Sequence, residues 1–270
     1  MIDRIPLATQ TLQDGRSKLR LTVTKNVRID RVTTYVIVHG AWHSGELFED
    51  TAAVIRAAGN DVHLPTLAGN APGDSKRVTL VDAIDSAVDY IEASGLEDVV
   101  LVGHSYGGMI ITGVADRAPK IIRRLVYWNA FVPNDGESLN DMVPPHYVAM
   151  FDSLVADDGS VTMPYPIWRD AFINDGTSEE AETAYAKLNP HPYATFTDPI
   201  ALTKNPLDMA ISKSYINCTE DIALPQSLGW HPRLSEKLGL FRLVQSHGSH
   251  ELCFTNPTLL AANIMAAGRD

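Results

Sequence analysis

The chain predicts an α/β architecture: a mostly parallel central sheet flanked by helices, with a mainly helical cap inserted before the last two strands. Three observations predict it. Continuous apolar, β-branched runs at 35–38 and 99–102 have the pattern of strands buried on both faces. Strand and helix patterns then alternate at a spacing that implies parallel strands joined by right-handed crossovers. The alternation breaks at Pro133-Asn134-Asp135-Gly136, and residues 134–210 collect prolines and aromatics without strand periodicity.

Taken in order, residues 1–33 are mixed and polar. A turn signal at 13–16 precedes alternation at 19–24, which reads as an antiparallel edge strand in a hairpin. After the strand at 35–38, apolar residues from Phe48 to Ala58 keep helical spacing and stop at Gly59-Asn60. A short strand at 61–65 leads into a loop rich in Gly, Pro, Asn and Asp. Residues 79–95 then place Leu80, Ala83, Ile84, Ala87, Val88 and Ile91 on one helical face.

The strand at 99–102 runs into Gly103-His104-Ser105-Tyr106-Gly107-Gly108, whose helix extends to about Arg117; a strand follows at 124–130. Within the cap, residues 178–188 predict a helix. Sheet strands resume at 211–218 and 239–244, and a helix from Pro257 to about Ala267 closes the chain. The expected organisation is a core of residues 1–133 and 211–270 carrying a 134–210 insertion, all in one domain.

Composition narrows the function classes. Among 270 residues, 45% hydrophobic and 20% charged describe a globular chain with a substantial core. A net charge of −11 without a basic cluster argues against nucleic acid or an anionic membrane as partner. No apolar run reaches membrane-spanning length and the N-terminus has no apolar leader, so the expected location is cytoplasmic. Cys218 and Cys253 lack metal-ligand spacing and read as buried free thiols, a single disulfide being the other option. The oligomeric state is open, a homodimer being one possibility.

The chemistry gathers around Ser105. Gly-x-Ser-x-Gly between a strand and a helix is a nucleophile elbow, a tight turn that lifts the serine hydroxyl above the sheet edge. A serine needs an adjacent base, and His250 follows the last strand, with His247 as competitor. An acid must orient that base; Asp221, after the penultimate strand, is preferred over its neighbour Glu220 and over Asp135 in the earlier loop. Two backbone N–H groups must meet the oxyanion. Tyr106, next to the nucleophile, supplies one; Ala41, in the loop after the strand at 35–38, supplies the other, with Gly40 allowing close approach. His39 and His43 lack a third ligand of suitable spacing, so no metal is expected, and no dinucleotide-binding glycine pattern implies a cofactor. Trp168 and Phe172, four apart, are candidates for an apolar pocket wall or for cap core.

Val38-His39-Gly40-Ala41-Trp42-His43, Gly103-His104-Ser105-Tyr106-Gly107-Gly108, Cys218-Thr219-Glu220-Asp221 and Ser249-His250 together resemble the α/β-hydrolase superfamily. They look most like its plant methylesterase and hydroxynitrile lyase branch and small bacterial esterases, pyrethroid-hydrolysing ones included. The resemblance implies Asp221 as the acid, oxyanion amides at Ala41 and Tyr106, and a cap over an apolar pocket. Two departures argue against lyase chemistry: Gly40 stands where those lyases carry threonine, and Glu251 where they carry a lysine that serves cyanide. Glu251 itself is expected to be a solvated rim carboxylate, the alternative being a preference for cationic substrate groups. The reaction so implied is hydrolysis of a small carboxylic ester or lactone. A cofactor-free carbon–carbon hydrolase or oxygenase, or a slow-turnover receptor, are the alternatives.

Overall fold

A computed structural model describes residues 32–270; the hairpin expected around 19–24 lies outside them. Six parallel strands form the central sheet in the order β2-β1-β3-β4-β7-β8. They are β1 (Thr34–Val38), β2 (Asp61–His63), β3 (Val99–His104), β4 (Ile122–Trp128), β7 (Ser212–Cys218) and β8 (Arg242–Ser246). β3 lies at the centre, with Leu101 in register with Val36 on one side and Leu125 on the other. The two faces separate by residue parity, as pleating requires. Val36, Val38, Val99 and Leu101 pack with helices α2 (Leu80–Ala93) and α3 (Gly107–Arg117). Tyr35, Ile37, Val100 and Val102 pack with α1 (Glu49–Ala57) and α9 (Pro257–Ala267). Apolar runs in β1 and β3 therefore report burial on both faces.

Local signals set the helix limits. Thr79 caps α2 through a capping box with Asp82, satisfying orphan N–H groups worth about 1 kcal/mol in such caps. Pro257 opens α9 at the position where its missing N–H costs nothing, beneath the Asn256 cap. The last strand departs from expectation. It spans Arg242–Ser246 and not 239–244, because Gly239 (φ +70°) ends a 3₁₀ turn (Ser235–Leu238) and turns the chain before the strand begins.

The connection from β4 to β7 carries α4 (Pro145–Leu154), α5 (Tyr165–Ile167), α6 (Ser178–Tyr185) and α7 (Ala194–Thr197). It also holds a two-stranded antiparallel ladder, β5 (Ser160–Val161) with β6 (His191–Pro192), which the sequence pattern did not reveal. A π-helical turn, Trp168–Phe172, continues α5, closed by Ile173 N–H donating to the Trp168 carbonyl at 3.0 Å. The short α8 (Leu252–Thr255) precedes α9. Because all six strands run one way, the loops after β1, β3, β4, β7 and β8 emerge at one edge of the sheet.

Candidate active site

Ser105 sits directly after β3 with φ +53°, a left-handed conformation that a non-glycine residue holds only when its surroundings enforce it. They do. Ser105 N–H donates to the Trp128 carbonyl at 3.2 Å, and Phe131 N–H donates to the Ser105 carbonyl at 3.1 Å. A Cβ on Gly107 would stand 2.6 Å from the Val38 carbonyl oxygen, and one on Gly103 would stand 2.6 Å from the Gly107 oxygen. The glycines flanking the serine are thus required where α3 crosses the ends of β1 and β3.

His250 follows β8 and is 1% exposed; its Nδ1 donates to Asp221 Oδ2 at 2.6 Å. The Asp221 side chain is fully buried. It also accepts from Asn129 Nδ2, a short contact, and from Ala223 N–H at 2.8 Å. Asn129 was not anticipated. Standing just after β4, it bridges from Asp221 to Cys218 N–H (2.8 Å), so one amide aligns the acid with the strand that carries it. Burial opposes charge on His250, but the Asp221 carboxylate, through its charge and its hydrogen bond, and Glu251 raise the pKa above its ordinary value.

The competing residues are placed elsewhere. His247 and Glu220 pair with each other at 3.2 Å, the His247 side chain being 89% exposed. Asp135 is exposed and its carboxylate accepts from Leu202 N–H at 2.8 Å.

His104, the variable residue before the serine, is buried against Trp128, ring centroids 3.9 Å apart. Its Nε2 donates to the His250 carbonyl at 3.0 Å, and its ring lies 4.7 Å from that of His250. Burial, foremost, holds its pKa well below the ordinary histidine range. Gly40 belongs to this packing: a Cβ there would stand 2.9 Å from His104 Nδ1 and 3.2 Å from Ser105 Cβ.

The loop after β1 is held at each peptide. Gly40 O accepts from His39 Nδ1 (2.8 Å), whose Nε2 accepts from Leu67 N–H (3.0 Å); burial drives the His39 pKa down to about 3, so the ring is neutral. Ala41 O accepts from His43 Nδ1 at 2.7 Å, and Trp42 O accepts from Asn189 N–H at 2.7 Å. Trp42 N–H donates to His191 Nδ1 at 3.4 Å. Among the described residues, the N–H groups of Ala41 and Tyr106 have no protein acceptor.

Ser105, Ala41 and Tyr106 line one narrow cavity with residues of the β4–β7 connection, among them Tyr147, Phe151 and Phe196. No charged side chain lines it. Phe172 and Trp230 form the wall nearest His250; the Trp230 ring stacks on it at 5.0 Å, and Phe172 meets it edge-on at 5.1 Å. Trp168 is a correction. It is fully buried one layer behind, stacked on Phe172 and donating through Nε1 to the Ala181 carbonyl at 3.1 Å.

Glu251 is the second correction. Far from a solvated rim, it is 1% exposed, and its Oε2 lies 2.9 Å from His43 Nε2. Its sequence neighbourhood looked exposed because the partner lies 208 residues away. His43, Glu251 and Cys253 bring ligand-type atoms within 4.8 Å of one another, as do His104, His250 and Glu251. In the first group Glu251 is hydrogen-bonded to both partners, His43 at 2.9 Å and Cys253 Sγ donating at 3.7 Å; in the second, His250 Nδ1 is bonded to Asp221 and His104 Nδ1 is buried without a partner among the described residues. Both cysteines are free and buried.

Residues 35–262 match the model of the alpha/beta hydrolase family, and the chain belongs to that family. Its relatives include several named esterases and hydrolases. A carbendazim hydrolyzing esterase from Nocardioides sp. (strain SG-4G) is 34% identical over 247 residues, covering 88% of this chain and 100% of that protein. A pyrethroid hydrolase from Sphingobium wenxiniae is 25% identical, covering 86% of each. Among solved structures, an extracellular α/β-hydrolase from a Paenibacillus species superposes with a TM-score of 0.85 at 35% identity, over 88% of this chain and 100% of that one. It is described as sharing structural and functional homology with tobacco salicylic acid binding protein 2. The chain is accordingly an enzyme of the carboxylic ester hydrolase class. No helix among the described residues is long and apolar enough to cross a membrane.

Proposed function

We propose that the protein is a serine hydrolase that cleaves a small, largely apolar carboxylic ester or lactone through an acyl-enzyme. Ser105 is the nucleophile and His250 the base. With Nδ1 holding its proton against Asp221, neutral His250 offers Nε2 to take the serine proton and later return it to the leaving alcohol. The Ala41 and Tyr106 N–H groups receive the oxyanion, Tyr106 at the positive end of α3. Water then releases the acid. Residues 134–210 act as a cap that walls the acyl or aryl site over the described core, residues 32–133 and 211–270. Two buried free thiols fit a reducing compartment, which supports a cytoplasmic setting.

One observation carries this reading. A strained serine and two backbone N–H groups without a protein acceptor belong to residues lining one cavity, and two of its aromatic rings, Phe172 and Trp230, pack on the histidine of a buried His–Asp couple. The apolar lining argues for neutral substrates, since an anionic group would lose its hydration with no cation to meet it.

A panel of neutral aryl and alkyl esters, lactones, carbendazim and a pyrethroid, with anionic hemiesters as controls, tests the assignment. Neutral esters should turn over and hemiesters should not, and Ser105→Ala should lose about 10⁴- to 10⁶-fold. Turnover that survives in Ser105→Ala would contradict the assignment. A wild-type protein that binds esters without hydrolysing them would favour the receptor reading.

A further inference from the structure

His43 and Glu251 form a second buried histidine–carboxylate couple beside the first, and the proposed reaction does not use it. We propose that this couple is a positioning tether: it locks the loop that presents the Ala41 N–H to the loop that carries His250. The inference rests on the serine-hydrolase reading above and assigns a task to two residues that neither touch the cavity nor react.

The geometry is specific. Ala41 O can only accept, so His43 Nδ1 carries a proton and donates it at 2.7 Å. His43 Nε2 faces Glu251 Oε2 at 2.9 Å with one proton between them. One imidazole therefore spans from the peptide after the candidate oxyanion donor to the residue after the candidate base. Both ends are immobilised. Glu251 caps α8, its carbonyl accepting from Phe254 N–H at 2.9 Å and its N–H donating to Ser249 Oγ at 3.2 Å. The His43 ring is stacked on Phe254 at 5.8 Å and flanked by Phe48, Trp168 and His104. With both side chains about 1% exposed, no water replaces a lost partner, so the couple holds rigidly or leaves a buried polar group unmatched.

An oxyanion donor works only if it is already aimed when charge develops, and small misplacements cost heavily. The tether's effect should therefore fall on the chemical step and not on ground-state binding. The bond, and not the charge, is what matters: a glutamine at 251 can donate its amide to neutral His43 Nε2 and keep the tether.

The test compares wild type, Glu251→Leu, Glu251→Gln, His43→Phe and the double variant His43→Phe/Glu251→Leu, each normalised to active sites counted by fluorophosphonate titration. Glu251→Leu should lower kcat about 10- to 100-fold with KM unchanged, and weaken an aryl trifluoromethyl ketone, a mimic of the tetrahedral adduct, by the same factor. Glu251→Gln should restore most of that loss. The double variant, which removes both members of the couple and so leaves neither facing an unmatched partner side chain, though the Ala41 carbonyl loses its donor, should lose about as much as Glu251→Leu. The proposal is overturned if the double variant turns over like wild type per titrated site. It is equally overturned if Glu251→Gln falls as far as Glu251→Leu, or if KM rises while ketone affinity holds. A wild-type enzyme that fluorophosphonate fails to label would instead sink the serine-hydrolase reading itself.

Discussion

At the scale of single residues, Ser105 and its partners divide the work by environment. The serine owes its position to backbone strain, the histidine its tautomer to a carboxylate 2.6 Å away, and the carboxylate its aim to Asn129. If Asp221 is the orienting acid, Asp221→Asn should slow acylation about 10⁴-fold, as loss of this group does in other triads. Asp135→Asn, at an exposed loop cap, should change it by less than about threefold, and stopped-flow release of a chromogenic alcohol measures both. The reverse ranking would move the acid to the earlier loop. The pH profile follows from the same couple. A base must be neutral, so kcat/KM falls as pH drops through the His250 pKa. Since that pKa is raised above 6.5 in the fold, the acid limb should have its midpoint above 6.5. A midpoint below that value would mean that burial of the imidazole outweighs its stabilisation by Asp221.

Elements show why some of this was readable in the chain and some was not. β1 and β3 announce themselves because a strand buried on both faces is apolar nearly throughout, and α9 because Asn256-Pro257 before an apolar run is a helix-start signal. Contacts between positions distant in sequence leave no local trace. Asn129 meets Asp221 across 92 residues, and His43 meets Glu251 across 208, so a carboxylate that looked solvated proves buried. Trp168 and Phe172 share a spacing that fits wall or core alike, and a π-helical turn puts one in each. The elbow was legible because its requirement is steric. That predicts an outcome: Gly107→Ala places a Cβ 2.6 Å from a backbone oxygen of β1, where no side chain can swing aside. Overpacking of this kind costs about 1–3 kcal/mol or more, so thermal unfolding should begin several degrees lower, and labelling of Ser105 should slow. An unchanged Tm would mean α3 does not cross β1 this closely.

The whole molecule carries a net charge of −11, yet the cavity beside Ser105 has no charged side chain in its lining. The lining of that cavity is largely aromatic and aliphatic, which is the basis for proposing neutral substrates. Parallel topology brings the loops after five strands to one sheet edge, so residues as distant in sequence as Ala41 and His250 gather there. The most direct test is fluorophosphonate labelling of the native protein, read by peptide mass spectrometry. A single adduct on Ser105, lost when the protein is unfolded and strongly slowed in His250→Ala, is the expected result. Folded protein that leaves Ser105 unmodified, or carries its adduct on another residue, would contradict the assignment of Ser105 as the nucleophile.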